Sequence, residues 1–148
     1  MNTAPAPEVR VCVDASLVAK WLIDEDDSPL ALDVLERWIQ QSTDMVAPML
    51  IDYEMGSVLR KVAARGLISA DEARERLHLL EVLPIRRLQP PFLLQRAWAI
   101  ATRYGLYTIY DASYAALAEH LGVRLYTCDK AFISAVGGES DMIVDPVG

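Results

Sequence analysis

Short apolar runs alternate with longer amphipathic stretches along this chain of 148 residues. Apolar runs that are rich in β-branched residues predict strands at residues 9–13, 45–47, 85–88, 124–127 and 142–144. Between these runs, apolar residues recur every three or four positions, which predicts helices. The predicted helices cover residues 15–23, 30–39, 48–65, 70–83, 92–104, 111–121 and 130–136.

Local signals mark several helix boundaries. Ser69 and Glu72 form a capping-box pattern, which predicts that a helix begins directly after the serine. Gly66, Gly105 and Gly122 each follow the last apolar position of a predicted helix, where glycine commonly ends helices. The predicted elements are therefore separate and well delimited.

Strands that are separated by helices predict a parallel sheet, because parallel neighbours need crossover connections that cover the sheet. The chain length suits one domain with one substantial core. We therefore expect a three-layer α/β/α sandwich with a central, mainly parallel sheet. Residues 1–148 form a single domain in this prediction, and residues 1–8 form a loose N-terminal tail.

The chain lacks the pattern of a membrane or secreted protein. Its apolar runs fall far short of the roughly 20 residues that a membrane span requires. The N-terminal residues have no basic start followed by a long apolar run, so we expect no secretory signal and a cytoplasmic location. Cys12 and Cys128 lie in apolar runs and are expected to be small buried side chains, although a bridge between them stays open.

The net charge of −7 initially disfavours a nucleic-acid partner. Much of the acidic excess comes from four candidate site residues and from an acidic loop at residues 24–27, which we expect to be solvated surface. The remaining charges are nearly balanced. They include basic residues that could contact phosphates, although solvated helix faces are the simpler interpretation: Arg60, Lys61, Arg65, Arg86 and Arg87.

Three aspartates lie at the ends of predicted elements. Asp14 follows the first strand, Asp129 follows the apolar run that begins at residue 124, and Asp111 opens a helix. Because the carboxyl ends of parallel strands line the crevice where ligands bind, these residues can converge in space. Glu54 and Asp52 flank the apolar face of another predicted helix on opposite sides, and spacing alone does not choose between them.

Each of the three aspartates also has a simpler explanation, because aspartate is a preferred N-cap residue. Taken together, however, carboxylates roughly 5 Å apart would repel by about 3 kcal/mol per pair at an effective dielectric constant of about 20. A hard divalent cation relieves that repulsion, and all-oxygen ligation favours Mg²⁺ or Mn²⁺ over zinc or copper. The two histidines, His78 and His120, show no zinc-ligand spacing.

With these residues in place, the sequence resembles the PIN-domain nucleases and, within them, the VapC-type ribonuclease toxins. Four segments in order carry the resemblance: VDAS at 13–16, APMLIDYE at 47–54, YDASYAALAE at 110–119 and LYTCD at 125–129. The family pattern implies four metal-binding and catalytic carboxylates, Asp14, Glu54, Asp111 and Asp129. It also implies that Ser16 and Thr127 support the site, although each could simply cap the helix that follows.

The resemblance further implies an endoribonuclease that uses Mg²⁺ or Mn²⁺ and acts as the toxin of a toxin–antitoxin pair. The implied partners are an RNA substrate, a small VapB-like antitoxin and a second copy of the chain in a homodimer. Trp21, Trp38 and Trp98 could serve such surfaces, but we expect them to pack in the core.

Two other function classes gather acids at the strand ends of a parallel sheet. A receiver or dehalogenase-like phosphotransfer domain is disfavoured because Ser16, not a second aspartate, follows Asp14 by two residues, and no strand-end lysine accompanies the acids. A non-catalytic binding module is the remaining alternative, and it would tolerate loss of the metal.

Overall fold

The structure, a computed structural model, describes residues 8–136, 138 and 141–148. Its strands are β1 (Arg10–Val13), β2 (Asp44–Ala47), β3 (Ile85–Arg87), β4 (Arg124–Tyr126) and β5 (Ile143–Val144). Its helices are α1 (Ala15–Leu22), α2 (Ser28–Gln40), α3 (Leu50–Ala64), α4 (Ala70–Val82), α5 (Leu93–Tyr104), α6 (Tyr110–Leu121) and α7 (Lys130–Val136). Each predicted element is present, with its ends within two residues of the prediction.

The strands form one sheet in the order β3-β2-β1-β4-β5, and all four pairings are parallel. Helices flank the sheet, so the predicted α/β/α sandwich with a mainly parallel sheet is confirmed. β1 lies at the centre, and its residues Val11, Cys12 and Val13 are completely buried. A continuous apolar run suits this position because a central parallel strand is covered on both faces.

Aromatic residues join the helices to the sheet. Trp38 of α2 is 1% exposed and packs edge-on against Tyr126 of β4, with ring centroids 4.8 Å apart. Trp21 of α1 packs edge-on against Trp38, and its indole N–H donates to the carbonyl of Ala31 at 2.8 Å. The expectation that Trp21 and Trp38 lie in the core is confirmed.

Trp98 is different, because its side chain is 69% exposed and the expectation of core packing is wrong. α5 buries Leu93, Ala97, Ile100 and Ala101, which define its inner face. Trp98 follows Ala97 directly and is therefore rotated by about 100° around the helix, away from that face. Leu94, one turn earlier, is exposed with it.

Charged side chains of the acidic loop and of the N-terminal segment form ion pairs, although residues 24–26 are exposed, as expected. Lys20 of α1 binds Asp27 at 2.6 Å and Glu25 at 3.2 Å, which ties the acidic loop to the helix before it. At the amino ends of the strands, the Glu8 carboxylate accepts from Arg124 and from the Tyr126 hydroxyl, each at 2.8 Å. The predicted tail is therefore wrong for Glu8, and its other residues, 1–7, lie outside the described part of the chain.

Helix boundaries follow the local signals. The Ser69 hydroxyl accepts from the backbone N–H of Glu72 at 3.0 Å, as the capping box predicts. Gly105 and Gly122 end their helices with positive φ angles of 63° and 66°, which glycine adopts without strain. Both cysteines are free. In the described part of the chain, no helix combines the length and apolar character needed to cross a membrane.

Candidate metal centre

The candidate site lies where the strand order reverses. From β1 the chain adds β2 and β3 on one side and then β4 and β5 on the other, so β1 and β4 flank the reversal point. Open α/β sheets bind ligands in this crevice, beyond the carboxyl ends of the strands. Asp14 follows β1 and Asp129 closely follows β4, and the backbone N–H of Asp14 donates to the Tyr126 carbonyl at 3.3 Å. The fold therefore brings both aspartates to one edge of the sheet.

The Asp14 carboxylate is 3% exposed and accepts three hydrogen bonds. The Ser16 hydroxyl donates to Oδ1 at 2.7 Å, the Thr127 hydroxyl donates to Oδ2 at 2.5 Å, and the backbone N–H of Leu17 donates to Oδ1 at 3.2 Å. Burial raises the pKa of Asp14 to about 6, and the three bonds limit the rise because they favour the charged form. The bond from Leu17 also makes Asp14 the N-cap of α1, as expected.

Ser16 and Thr127 connect Asp14 to the segment after β4. Their hydroxyl oxygens lie 3.2 Å apart, and Thr127 is completely buried. The Ser16 oxygen accepts from the backbone N–H of Cys128 at 2.8 Å, while the Thr127 oxygen accepts from that of Asp129 at 3.1 Å. The two hydroxyls therefore fix the Asp14 carboxylate relative to the chain that carries Asp129.

Asp111 enters the site from α6, where it is the second residue. Ile109 is the N-cap, and no side chain caps this helix, so the capping explanation is wrong for Asp111. Burial raises the pKa of Asp111 to about 6, and the negative charges of Asp129 and Asp14 add to the rise. Asp129 does make a capping bond, because its Oδ1 accepts from the backbone N–H of Phe132 at 3.0 Å.

Asp52 and Glu54, the two acids that helical spacing could not distinguish as site candidates, lie on different sides of α3. Asp52 accepts two hydrogen bonds from the Arg87 guanidinium, at 2.8 and 3.1 Å. Two residues along a helix correspond to a rotation of about 200°, so Glu54 points to a different side. Glu54 lines the same cavity as Asp14, Asp111 and Asp129, whereas Asp52 does not.

Glu54 and Tyr114 contribute buried polar atoms that lack a hydrogen-bond partner in the described part of the chain: Oε1 of Glu54 and the hydroxyl of Tyr114. Burial raises the pKa of Glu54 to about 7, and the charges of Asp111, Asp14 and Asp129 raise it further. The Tyr114 hydroxyl opposes this rise because it lies beside Glu54 and favours the charged form, although the two groups miss hydrogen-bond geometry.

A cavity of about 170 Å³ unites these side chains. Its wall consists of the four carboxylates together with Ala15, Ser16, Ala19, Val58 and Tyr114. The sequence prediction missed Tyr114. A usable signal was present, because Tyr114 follows Asp111 by three residues, and residues three apart on a helix share a face.

The chemistry of the cavity suits a hard divalent cation. Its charged groups are carboxylates, no histidine is among its lining residues, and one carboxylate oxygen of Glu54 is buried without a partner. Burial and mutual repulsion raise the pKa of three of the acids, and a bound cation would offset the negative charge that causes the repulsion. Across residues 8–136, 138 and 141–148, no three Asp, Glu, His or Cys side chains lie close enough together to hold a metal ion as they stand. The donor atoms of the cavity therefore suit such an ion by their chemistry, and holding it would bring the carboxylates closer together.

Comparison with known proteins supports one family. The PIN-domain profile matches residues 11–138, which include all four carboxylates. Ribonuclease VapC3 of Pyrobaculum aerophilum is 35% identical over 126 residues, covering 82% of this chain and 91% of that protein. Ribonuclease VapC1 of Mycobacterium tuberculosis is 34% identical over 126 residues, covering 84% of this chain and 90% of that protein.

Solved structures agree with the sequence match. PAE2754 from Pyrobaculum aerophilum has a TM-score of 0.66 at 27% identity, covering 93% of this chain and 90% of that one. Mycobacterium tuberculosis VapC20, a sarcin-ricin loop cleaving toxin, has a TM-score of 0.62 over 86% of this chain and 95% of its own. It is 19% identical, so its likeness concerns the fold alone. From its sequence and its fold, this chain belongs to the PIN-domain family and, within it, to the VapC-type ribonucleases.

Proposed function

We propose that the protein is a Mg²⁺- or Mn²⁺-dependent endoribonuclease and that it acts as the toxin of a toxin–antitoxin pair in the cytoplasm. The observation that carries the proposal is the cavity at the strand-order reversal, which is lined by Asp14, Glu54, Asp111 and Asp129. Four carboxylates around one small cavity are costly without a cation. A bound metal ion would offset the repulsion between the carboxylates and would allow a phosphate group to bind beside them.

The four acids have different roles in this proposal. Asp14 and Asp129 are the principal metal ligands, because they follow the two strands that flank the reversal point. Asp111 completes the ligand set from α6. Bound Mg²⁺ or Mn²⁺ supplies a Lewis acid that polarises the phosphate and lowers the pKa of a ligated water. Glu54, which lines the same cavity and whose pKa is raised to about 7, would serve as the base that accepts a proton from the attacking water.

Ser16 and Thr127 act as supporting residues. Their hydroxyls donate to different oxygens of Asp14, so they fix the plane of the carboxylate. Groups that orient a metal ligand in this way commonly affect metal affinity by about 10-fold to 100-fold. Both residues are therefore part of the proposed site without binding the metal directly.

RNA is the proposed substrate because the similar proteins VapC3 and VapC1 are named ribonucleases. A small VapB-like antitoxin and a second copy of the chain are the proposed protein partners. Leu94 and Trp98, exposed one turn apart on α5, provide an apolar face that suits a protein contact. A short reading frame directly upstream of the gene would support the antitoxin, and its absence would favour a solitary nuclease.

The proposal is tested by incubating the purified chain with single-stranded and structured RNA in Mn²⁺, and in parallel with a chelator. We expect cleavage in Mn²⁺ only, and a loss of about 100-fold or more in an Asp14→Asn variant. DNA of the same sequence serves as the substrate control. Cleavage that persists in the chelator or in the variant contradicts the mechanism, and preferential cleavage of DNA contradicts the substrate. RNA binding without cleavage supports the non-catalytic module instead.

A further inference from the structure

The end of α3 carries three exposed basic side chains, Arg60, Lys61 and Arg65. Within the described part of the chain, their side chains make no hydrogen bond or ion pair. In a protein with a net charge of −7, unpaired cations on a helix that also lines an acidic cavity are well suited to attract a polyanion. Their positions relative to the cavity therefore decide what they can do.

Helix geometry places two of the three on the side of the cavity. Glu54 and Val58 of α3 line the cavity, which fixes the direction of that helix face. At about 100° per residue, Arg65 lies within roughly 10° of this direction and Lys61 within roughly 40°. Arg60 lies about 140° away, on nearly the opposite side.

Lys61 and Arg65 also lie at distances from the cavity that an RNA strand entering it would span. With a rise of about 1.5 Å per residue, Lys61 is roughly 10 Å and Arg65 roughly 16 Å beyond Glu54 along the helix axis. Lys61 and Arg65 thus continue the line that Glu54 and Val58 begin at the cavity. This basic row, Lys61 and Arg65, starts within a long side chain's reach of the site.

The other basic residues that the sequence suggested for phosphate contact are already engaged. Arg86 donates two hydrogen bonds to Asp44, which holds the pKa of that carboxyl at about 2. Arg87 donates to Asp52 and to two backbone carbonyls. The charges of Arg86 and Arg87 are thus already partly neutralised by carboxylates, whereas no carboxylate of the described residues pairs with the basic row.

We infer that Lys61 and Arg65 bind backbone phosphates of the substrate RNA on one side of the cleaved bond, at roughly 10 and 16 Å beyond Glu54 along the axis of α3. The inference rests on the proposed function for the identity of the substrate. The two cations offset the repulsion between RNA and the acidic cavity, and they set the direction in which the strand leaves the site. Phosphate contacts of this kind position a nucleic acid and carry no sequence preference.

The test measures binding of a short fluorescein-labelled single-stranded RNA by anisotropy, in an Asp14→Asn background that leaves the RNA intact. Lys61→Ala and Arg65→Ala are compared with Arg60→Ala, which removes the same charge from the same helix on the other side. Affinities are measured between about 50 and 200 mM salt, because each lost phosphate contact reduces the salt slope by about 0.7 for a single strand. Circular dichroism checks that each variant is folded.

We expect Lys61→Ala and Arg65→Ala each to weaken RNA binding by about fivefold and to reduce the slope, while Arg60→Ala changes neither. In the otherwise unaltered chain, the same two substitutions raise KM for RNA and leave kcat unchanged. Equal losses in all three variants would overturn the inference, because they would report net charge alone. Unchanged binding in Lys61→Ala and Arg65→Ala would also overturn it, and would leave these residues as helix-end or protein-partner contacts. Failure of the unaltered chain to cleave RNA in Mn²⁺ contradicts the proposed function separately.

Discussion

The Tyr114 hydroxyl lies beside the Glu54 carboxylate, and each group brings a buried polar atom without a hydrogen-bond partner among the described residues. Tyr114 is 1% exposed and shares α6 with Asp111. The hydroxyl favours the charged form of Glu54 and so lowers its pKa against the effect of burial. Tyr114 thereby influences the pH at which Glu54 becomes available as a base.

Tyr114→Phe removes this influence and keeps the ring that packs in the core. The pKa of Glu54 then rises, so a higher pH is needed to ionise it. We expect the acid limb of the pH–rate profile to move to higher pH, while kcat on the alkaline side stays close to that of the unaltered chain. Steady-state cleavage at saturating Mn²⁺ across the pH range measures this shift. Tyr107→Phe is the matched control, because Tyr107 is fully exposed; an unmoved acid limb in Tyr114→Phe would argue against the role of the hydroxyl.

The raised pKa values predict how stability depends on pH without metal. Asp14, Glu54 and Asp111 have pKa values of about 6, 7 and 6, above their ordinary values of 3.8, 4.5 and 3.8. At a pH between the ordinary and the raised pKa values, the folded chain binds more protons than the unfolded chain. The free energy of unfolding therefore falls as the pH rises from about 4 to 7. Asp44 acts in the opposite sense, but only below its ordinary pKa.

Denaturant unfolding in chelator should therefore show a less stable protein at pH 8 than at pH 5. Mn²⁺ replaces the lost protons, so it should raise stability more at pH 8 than at pH 5. Asp14→Asn should reduce both effects, because it removes one of the three titrating groups. A metal-free protein that is equally stable or more stable at pH 8 would contradict this electrostatic description of the cavity.

The two acids of α3 should respond very differently to loss of charge. Glu54→Gln keeps the size of the side chain but removes the proposed base and metal contact, and we expect RNA cleavage to fall by about 100-fold or more. Asp52→Asn weakens only the partly exposed pair with Arg87, so cleavage should stay within about twofold and stability should fall by no more than about 1 kcal/mol. Initial rates at saturating Mn²⁺ and denaturant unfolding measure both. The reverse order of activities would place the wrong acid in the site.

Thr127 tests how far the site depends on a side chain that binds no metal. Thr127→Val keeps the shape but removes the donor to Asp14 and the acceptor for the Asp129 backbone N–H. We expect a loss of about 1–3 kcal/mol in the free energy of unfolding, together with weaker Mn²⁺ binding. Thr127→Ser retains the hydroxyl and should lose much less of both. Equal behaviour of the two variants would show that the hydroxyl has no special part in the site.

The local signals of this sequence were sufficient for its secondary structure. The capping box at Ser69 and the glycines at 105 and 122 act within a few residues, so they can be recognised without knowledge of the fold. The apolar run at residues 9–13 likewise predicted the strand β1. Asp14 and Asp129 were identifiable as site candidates because strand ends converge in any parallel sheet.

Features that depend on distant parts of the chain could not be predicted in the same way. Arg87 of β3 can pair with Asp52 because β3 lies next to β2 in the sheet. The periodicity of the sequence contains no information about the order of the strands. Trp98 is an exposed aromatic residue on a helix whose inner face is filled by smaller residues. Its apolar character predicted burial, but its angular position on α5 determined the outcome.

Binding of a divalent metal ion by the four carboxylates can be measured by calorimetric titration with Mn²⁺ at pH 8. At this pH the three acids with raised pKa values are ionised, so binding is not masked by protons. We expect binding by the unaltered chain and by Asp52→Asn, and a loss of affinity of about 100-fold or more in Asp14→Asn. Equal Mn²⁺ affinity in all three proteins, or no measurable binding by the unaltered chain, would contradict it.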